Sequence, residues 1–482
     1  MNYGIVTRVL GSLLIVEAVL MLPSYLIAVS SQGPDRMPFL ITILLTAIIG
    51  GLMTRRKTGQ SSIGAKEGLA IVALGWLFAS IMGALPLHLT GVTNNYIDAF
   101  FEIVSGFTTT GATILKEIEG LPQGILFWRS FTHWIGGMGI LVFTLALMPA
   151  LGIGGFQIFK AESPGPMAGK IAPRLRDTAK ILYITYVTIT LAEVLLLSIG
   201  GMGVYESFIH TFGTVGTGGF SNRNGSIADF DSTYIHMVIA FFMVASGVNF
   251  SLYYSFFRGK STDLFKDEEF RLYIKIIVIA TLAIAIDLWV VSYHNVGFSL
   301  RDSFFQVASI ITTTGYSTAD FDLWPTFSKG ILLILMFVGA SAGSTGGGMK
   351  IIRILVMMKL VKREVGKLYH PRAVIPIKIN NKVIPSETVA RINSFLALYL
   401  LLFLFSTLLV SLEQVDLLTA GSAVAATLGN IGPGLELVGP VQNYAFFSWP
   451  TKLLLSFLML LGRLELFTII ALIAPKNWRI DV

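Results

Sequence analysis

Long apolar stretches separated by short polar ones run through this chain from end to end. Stretches that meet or approach the roughly 20 residues needed to cross a bilayer lie at Val6–Val29, Phe39–Met53, Leu69–Leu89, Ile125–Leu151 and Ile181–Ile199. Others lie at Met237–Phe257, Leu272–Val291, Ile331–Leu360, Phe395–Leu412 and Leu453–Ile473. The pattern predicts an all-α, polytopic membrane protein with about ten spans. Shorter and weaker stretches at Tyr96–Thr110, Val204–Val215, Leu300–Thr313 and Leu417–Gly429 sit between them. These are predicted to be re-entrant half-helices that enter from one face and return to it. The apolar run Ile5–Val29 is too long for a cleavable signal peptide and is expected to be a span.

Charge orients the spans. Basic residues cluster at Arg55, Arg56, Lys57 and Lys66, then at Lys160, Lys170, Arg174, Arg176 and Lys180, then at Arg258, Lys260, Lys266 and Arg271. The largest block runs from Lys350 to Arg391, and Lys476 and Arg479 close the series. Successive blocks are two spans apart, so all can face one side, which the positive-inside rule makes the cytoplasm. Both termini are then expected there, provided that the half-helices do not cross. Composition agrees, since 54% of the residues are hydrophobic and 13% charged, too little charge for a soluble surface of this size. Membrane topology accounts for the net charge of +7, so lipid is an expected partner and nucleic acid is not. No cysteine is present, which excludes disulfides, thiolate metal sites and cysteine nucleophiles. Neither HExxH nor a Ser/His pair at matched depth marks an intramembrane enzyme.

The half-helices share a register. When Gly111, Gly219, Gly315 and Gly432 are aligned, the position thirteen residues earlier holds Asp98, Glu206, Asp302 and Thr419, mostly helix-start residue types. Six residues earlier stand the small residues Ser105, Gly213, Ser309 and Ala426, and two earlier stand Thr109, Thr217, Thr313 and Asn430. The strings read FTTTGAT, VGTGGFS, ITTTGYS and LGNIGPG, each lying between two spans. The predicted unit is helix, half-helix, Thr/Gly turn, helix, four times around one axis. A permeating cation must exchange its water shell for oxygens, and a narrow ring of backbone carbonyls supplies them. Glycine permits the backbone angles that aim those carbonyls inward. Each half-helix would also point its partly negative C-terminal end at the axis. Asp98, Glu206 and Asp302 are read as caps rather than ion ligands.

A second feature belongs to the third unit alone. Five glycines fall between Gly339 and Gly348, with Ser341, Ser344 and Thr345 among them, and they must interrupt the stretch Ile331–Leu360. A flexible loop below a ring of carbonyls is a plausible movable barrier. Gly343–Lys350 superficially matches a phosphate-binding loop, but no Ser/Thr follows the lysine and the setting is a membrane helix. Arg463 is an intramembrane charge; it is expected to stabilise the closed barrier, with a structural pair to Glu465 or carbonyls as the competing reading. Lys350 is either part of the barrier or a side chain reaching to the interface. Arg129 and His133 are expected to organise helix contacts. Lys362–Glu387 is polar and basic, and VIPIKI and KVIP around Asn380–Asn381 predict a short hairpin.

These strings, together with GASAGSTGGGMK (Gly339–Lys350), LGRLELFT (Leu461–Thr468) and RSFTHWIGGMGI (Arg129–Ile140), resemble the Trk/Ktr/HKT superfamily of potassium transporters, above all its bacterial Trk-type (TrkH-like) pore subunits. The resemblance covers essentially the whole chain. It implies gated potassium uptake across the bacterial cytoplasmic membrane, with potassium held by backbone carbonyls of Thr109, Thr110 and Gly111. The matching sets are Thr217, Gly218 and Gly219, then Thr313, Thr314 and Gly315, then Asn430, Ile431 and Gly432. Gly218 competes with Gly219 as the second filter glycine, and the repeat register favours Gly219. Glycine at all four positions resembles potassium-selective members. The implied gate comprises Gly343, Ser344, Thr345, Gly346, Gly347, Gly348, Lys350 and Arg463. A homodimer with one pore per chain is implied, as is a cytosolic TrkA-like regulatory ring that carries the nucleotide and docks near the hairpin. A carrier coupled to sodium or protons is the competing expectation, which parallel repeats and few midplane acids disfavour. The expected division is 1–65 for two extra N-terminal helices, then units at 66–160, 161–262, 263–361 and 391–482, with 362–390 as the cytoplasmic hairpin and linker.

Overall fold

A computed structural model describes residues 1–55, 64–139, 175–257, 259 and 261–473, and among these the regular structure is helical apart from one two-stranded hairpin. The end of the apolar stretch Ile125–Leu151, Ile140 of the RSFTHWIGGMGI string, and the basic residues Arg56, Lys57, Lys160, Lys170, Arg174, Arg258, Lys260, Lys476 and Arg479 lie outside the described residues. Helices Tyr3–Leu20 and Leu22–Ser30 form one nearly continuous apolar rod. Its neighbour is helix Arg36–Thr54. The two meet through glycines, for a Cβ at Gly11 would lie 2.7 Å from the Gly50 carbonyl oxygen, and one at Gly50 equally close to that of Gly11. Small residues at such crossings let helix backbones approach in lipid.

The chain then runs long helix, short helix, non-helical turn, second helix, four times over. Long helices Ala65–Leu89, Leu175–Ile199, Glu268–Leu288 and Ser386–Val410 are followed by short helices Tyr96–Phe107, Val204–Val215, Val296–Ile311 and Leu417–Leu428. A 12-residue helix such as Tyr96–Phe107 is about 18 Å long, well short of the ~30 Å hydrocarbon core. The side chains of Asn95, Asn295 and Asp416 cap three of the short helices by accepting from Asp98, Phe298 and Thr419 N–H. Asp98, Glu206 and Thr419 consequently occupy the third helical position. Asp302 departs from the expected helix start, because the cap at Asn295 adds a turn and leaves Asp302 mid-helix.

The second helices begin a few residues ahead of their apolar stretches and are shorter than them: Gln123–Gly137, Thr233–Ser246, Thr326–Val338 and Trp449–Arg463. Each stops within its stretch, and Thr233–Ser246 resumes as Phe250–Phe257 after a 94° bend. Among the described residues six helices are therefore long and apolar enough to cross a membrane, or seven with the bent pair. Counting apolar residues alone cannot see a break whose flanks are equally apolar. Ile331–Leu360 divides as expected, into Thr326–Val338, a non-helical segment 339–350, and helix Ile351–Tyr369. The hairpin pairs Lys378–Ile379 with Lys382–Val383. Its turn residues Asn380 and Asn381 have φ of 48° and 63°, the positive values that a two-residue turn of this hand demands.

Candidate functional site

Every short helix ends in the same way. In the first, Thr109 N–H reaches Gly106 O at 3.0 Å and Thr110 N–H reaches Ser105 O at 2.8 Å. This double bond to the last turn is a Schellman cap, and it recurs with Gly218 on Gly213, Thr314 on Ser309 and Ile431 on Ala426 at 2.7–2.9 Å. The small residues six places before the aligned glycines thus supply the carbonyls over which the chain turns back. The motif puts Thr109, Thr217, Thr313 and Asn430 at φ of 55°, 57°, 60° and 54°. Two residues on, Gly111, Gly219, Gly315 and Gly432 have φ of 80°, 77°, 84° and 97°. Left-handed residues alternate with ordinary ones, which turns successive carbonyls towards one side of the strand instead of to opposite sides.

The four strands close into a ring. A Cβ at Gly111 would lie 2.0 Å from Gly218 O, at Gly219 2.0 Å from Thr314 O, at Gly315 2.1 Å from Ile431 O, and at Gly432 2.6 Å from Thr110 O. Each glycine therefore abuts the carbonyl before the next unit's glycine, and the fourth returns to the first. Positive φ and the missing Cβ are both required here. Gly219, not Gly218, has the positive φ and the ring contact of its three counterparts.

Polar contacts seal each joint. Units one and two meet through Ile118 N–H on Asn224 Oδ1 at 2.9 Å, two and three through Tyr316 Oη on His210 O and Phe220 O at 3.0 and 3.1 Å. Three and four meet through Glu436 N–H on Asp322 Oδ1 at 3.1 Å. Four and one meet through Asn430 Nδ2 on Thr110 Oγ1 at 3.0 Å, Tyr444 N–H on Thr113 O at 2.8 Å and the ion pair Lys452–Asp98 at 2.7 Å. The acids aligned near the half-helix starts are thus engaged, Asp98 with Lys452, Glu206 with Arg223 and Asp302 with Arg301. Behind the first two strands, buried Glu102 accepts from Arg129 Nε at 2.5 Å, Thr113 Oγ1 at 2.9 Å and Ile114 N–H at 3.0 Å. Arg129 also donates to Ser221 O at 3.0 Å, and its guanidinium lies 3.6 Å over the Phe220 ring. His133 donates from Nδ1 to Gly106 O at 2.7 Å and stacks on Phe220.

The segment 339–350 crosses beneath this ring. Gly347 N–H donates to Thr313 Oγ1 at 2.6 Å, and a Cβ on Gly347 would meet Gly429 O at 2.6 Å. Ser341 N–H reaches Gly247 O at 3.1 Å and Thr345 Oγ1 reaches Ser246 O at 3.2 Å, both in the second unit. Arg463 Nη1 donates to Thr345 O at 2.7 Å, while Nη2 donates to Gly136 O and, at 2.8 Å, to Gly137 O of the first unit. The segment and Arg463 together touch all four units. Glu465 bonds Arg353 at 2.6 Å. Lys350 does not reach an interface: it is 3% exposed, and its Nζ donates to Gly346 O within the segment. The residues expected in the barrier, Gly343 to Gly348 with Lys350 and Arg463, are thus brought together, as are the ring residues. Asn430's cross-unit bond, the Arg353–Glu465 pair and Glu269 (described below) escaped the sequence reading, since nothing in their spacing announces a partner 73 to 320 residues away.

Apolar helices that surround a closed ring of non-helical backbone define an integral membrane transport protein rather than an enzyme. The TrkH family, described as cation transport proteins, matches residues 35–480. The chain belongs to that family. It is 39% identical to the Trk system potassium uptake protein TrkH of Salmonella typhimurium, over 99% of this chain and 100% of that protein. It is 33% identical to TrkG of Escherichia coli over 98% of both. The crystal structure of the potassium transporter TrkH from Vibrio parahaemolyticus superposes with a TM-score of 0.89 at 36% identity, covering 99% of this chain and 100% of that one.

Removing one partner of a buried ion pair commonly destabilises by about 3–5 kcal/mol, whereas replacing both with apolar groups can be nearly neutral. Arg129→Met is expected to lower the thermal unfolding midpoint in detergent sharply, and adding Glu102→Leu to recover much of the loss. Additive losses in the double variant would argue against a paired brace.

Proposed function

We propose that this chain carries potassium into the cell across the bacterial cytoplasmic membrane through a gated, selective pore. The observation that supports it best is the closed ring in which Gly111, Gly219, Gly315 and Gly432 each abut a neighbouring carbonyl. Among the described residues no group of three or more His, Cys, Asp or Glu is placed to hold a metal ion. Peptide oxygens of Thr109–Gly111, Thr217–Gly219, Thr313–Gly315 and Asn430–Gly432 are therefore the ligands in this reading, replacing the hydration shell without full charge. The short helices end at the ring, so their partly negative ends favour a cation there. The segment Gly343–Gly348 with Lys350 and Arg463 is the gate, and the cation of Arg463 repels potassium while the gate is shut. Both termini face the cytoplasm. The relatives' designation as parts of a Trk system supports a separately encoded partner. In this reading that partner is a TrkA-like cytosolic ring that carries the nucleotide and docks near Asn380–Asn381, on a homodimer with one pore per chain.

Proteoliposomes of the purified chain are expected to take up potassium and rubidium passively and saturably, in preference to sodium and lithium. Uptake only under an imposed sodium or proton gradient would replace the pore with a coupled carrier. Gly315→Ser should reduce the preference for potassium, and a variant of unchanged selectivity would remove Gly315 from the filter. Shortening the segment 343–348 should raise basal flux, whereas equal or lower flux would sink the gate.

A further inference from the structure

The gate segment must be held in place at its ends, and one side chain reaches both. Glu269 stands in the first turn of helix Glu268–Leu288 and is 6% exposed. Its Oε1 accepts Ala342 N–H at 2.7 Å, just before Gly343, and Ile352 N–H at 3.1 Å, just after Lys350. Ile352 lies in the first turn of helix Ile351–Tyr369, where backbone N–H groups lack intrahelical partners and a carboxylate is favoured by the helix dipole. A single oxygen from another helix therefore ties the start of the segment to the start of the helix that follows it. Moving the segment aside breaks at least the bond to Ala342.

The two residues before Glu269 are held by the hairpin. Asn380 N–H donates to Glu268 Oε1 at 2.9 Å, Glu268 N–H donates to Asn380 Oδ1 at 2.9 Å, and Asn380 Nδ2 donates to Asp267 Oδ2 at 2.6 Å. Lys359, on the helix after the gate segment, bonds both Glu268 and the Lys378 carbonyl of the hairpin. Ile377, Ile379 and Ile384 bury their side chains in a cluster with Ile352 and Val356 of that same helix. The hairpin thus grips the helix after the gate and the acidic turn that carries Glu269, with Asn380 at its exposed tip.

We propose that Glu269 is the latch that holds the segment 343–348 under the ring, and that the hairpin around Asn380 is the handle through which a force applied outside the membrane releases it. This rests on the gate assigned above. Glu269 acts as a positioning residue; it touches the segment and not the transported ion.

The test is rubidium uptake into proteoliposomes by the full chain, run beside a variant shortened within 343–348. Glu269→Ala is expected to raise basal uptake by ~10-fold or more, the scale set by losing two backbone hydrogen bonds, with potassium-over-sodium preference unchanged. Glu269→Gln, which keeps an acceptor oxygen, should restore uptake to near the parent level, a rescue that a general loss of stability would not produce. Asn380→Gly keeps the positive-φ turn and removes only the side-chain bonds, so it folds even where Glu269→Ala does not. The chain has no native cysteine, so Ser344→Cys supplies a single thiol inside the segment. Its labelling rate by a water-soluble thiol reagent should rise several-fold in both the Ala and the Gly backgrounds. A shortened segment that leaks beside a Glu269→Ala variant that does not would overturn the latch and spare the gate. Uptake unchanged in both would overturn the gate and the latch together. Unchanged labelling in Asn380→Gly would overturn the handle.

Discussion

A peptide group outside helix and sheet has no partner in lipid, so irregular backbone survives at membrane depth only where protein or trapped water surrounds it. The ring strands and the segment 339–350 are irregular backbone of this kind, and the surrounding described helices enclose them. Thr109, Thr217, Thr313 and Asn430 are fully buried, and so is the Glu102 that braces the first strand. The short helices follow from the same constraint. Each brings a strand to the centre, ends there in a cap that satisfies its last carbonyls, and leaves the second helix to close the wall outside it.

Backbone and side chains obey different symmetries at the ring. Four strands share one alternation of φ, although a residue with a Cβ in the left-handed region costs of order 1–2 kcal/mol. The side chains pair by opposite units instead. Thr108–Thr110 and Thr312–Thr314 make hydroxyl contacts of 2.7 and 2.8 Å in the first and third strands. The second and fourth have Gly216 and Gly429 at the corresponding cap, and the fourth replaces the hydroxyl contact with a bond from Asn430 to the first. Neighbouring contacts, rather than identical sequences, hold the four strands in one geometry.

The register of the ring was legible because it is local. A small residue, a Thr or Asn and a glycine at fixed spacing mark one helix cap and the strand that leaves it, and the same parts repeat four times. The hairpin and the break at Gly339 were legible for the same reason, being written in Asn-Asn and in glycine. Asp302 misled because its own helix has an earlier cap at Asn295. The second helices misled because hydropathy does not report direction, and a 94° bend leaves an apolar stretch apolar. Lys350 resembled an interfacial lysine until the carbonyl of Gly346 supplied a partner inside the segment. The contacts of Glu269, Arg353 and Asn430 were invisible, for their partners lie 73 to 320 residues away, and distance along the chain leaves no periodic trace.

The joint between the fourth unit and the first has a temporal meaning. Asp98 and Thr113 are made early by the ribosome, Tyr444 and Lys452 late, so the seam they form is the last to be stitched. A nascent chain halted anywhere before Gly432 has at most three complete strands and an open side. The segment 339–350 precedes that residue in synthesis. In the proposed reading the segment is therefore made before the conduit it closes is complete, and Arg463, whose guanidinium bonds the Thr345 carbonyl of the segment, follows the fourth strand by only thirty-one residues.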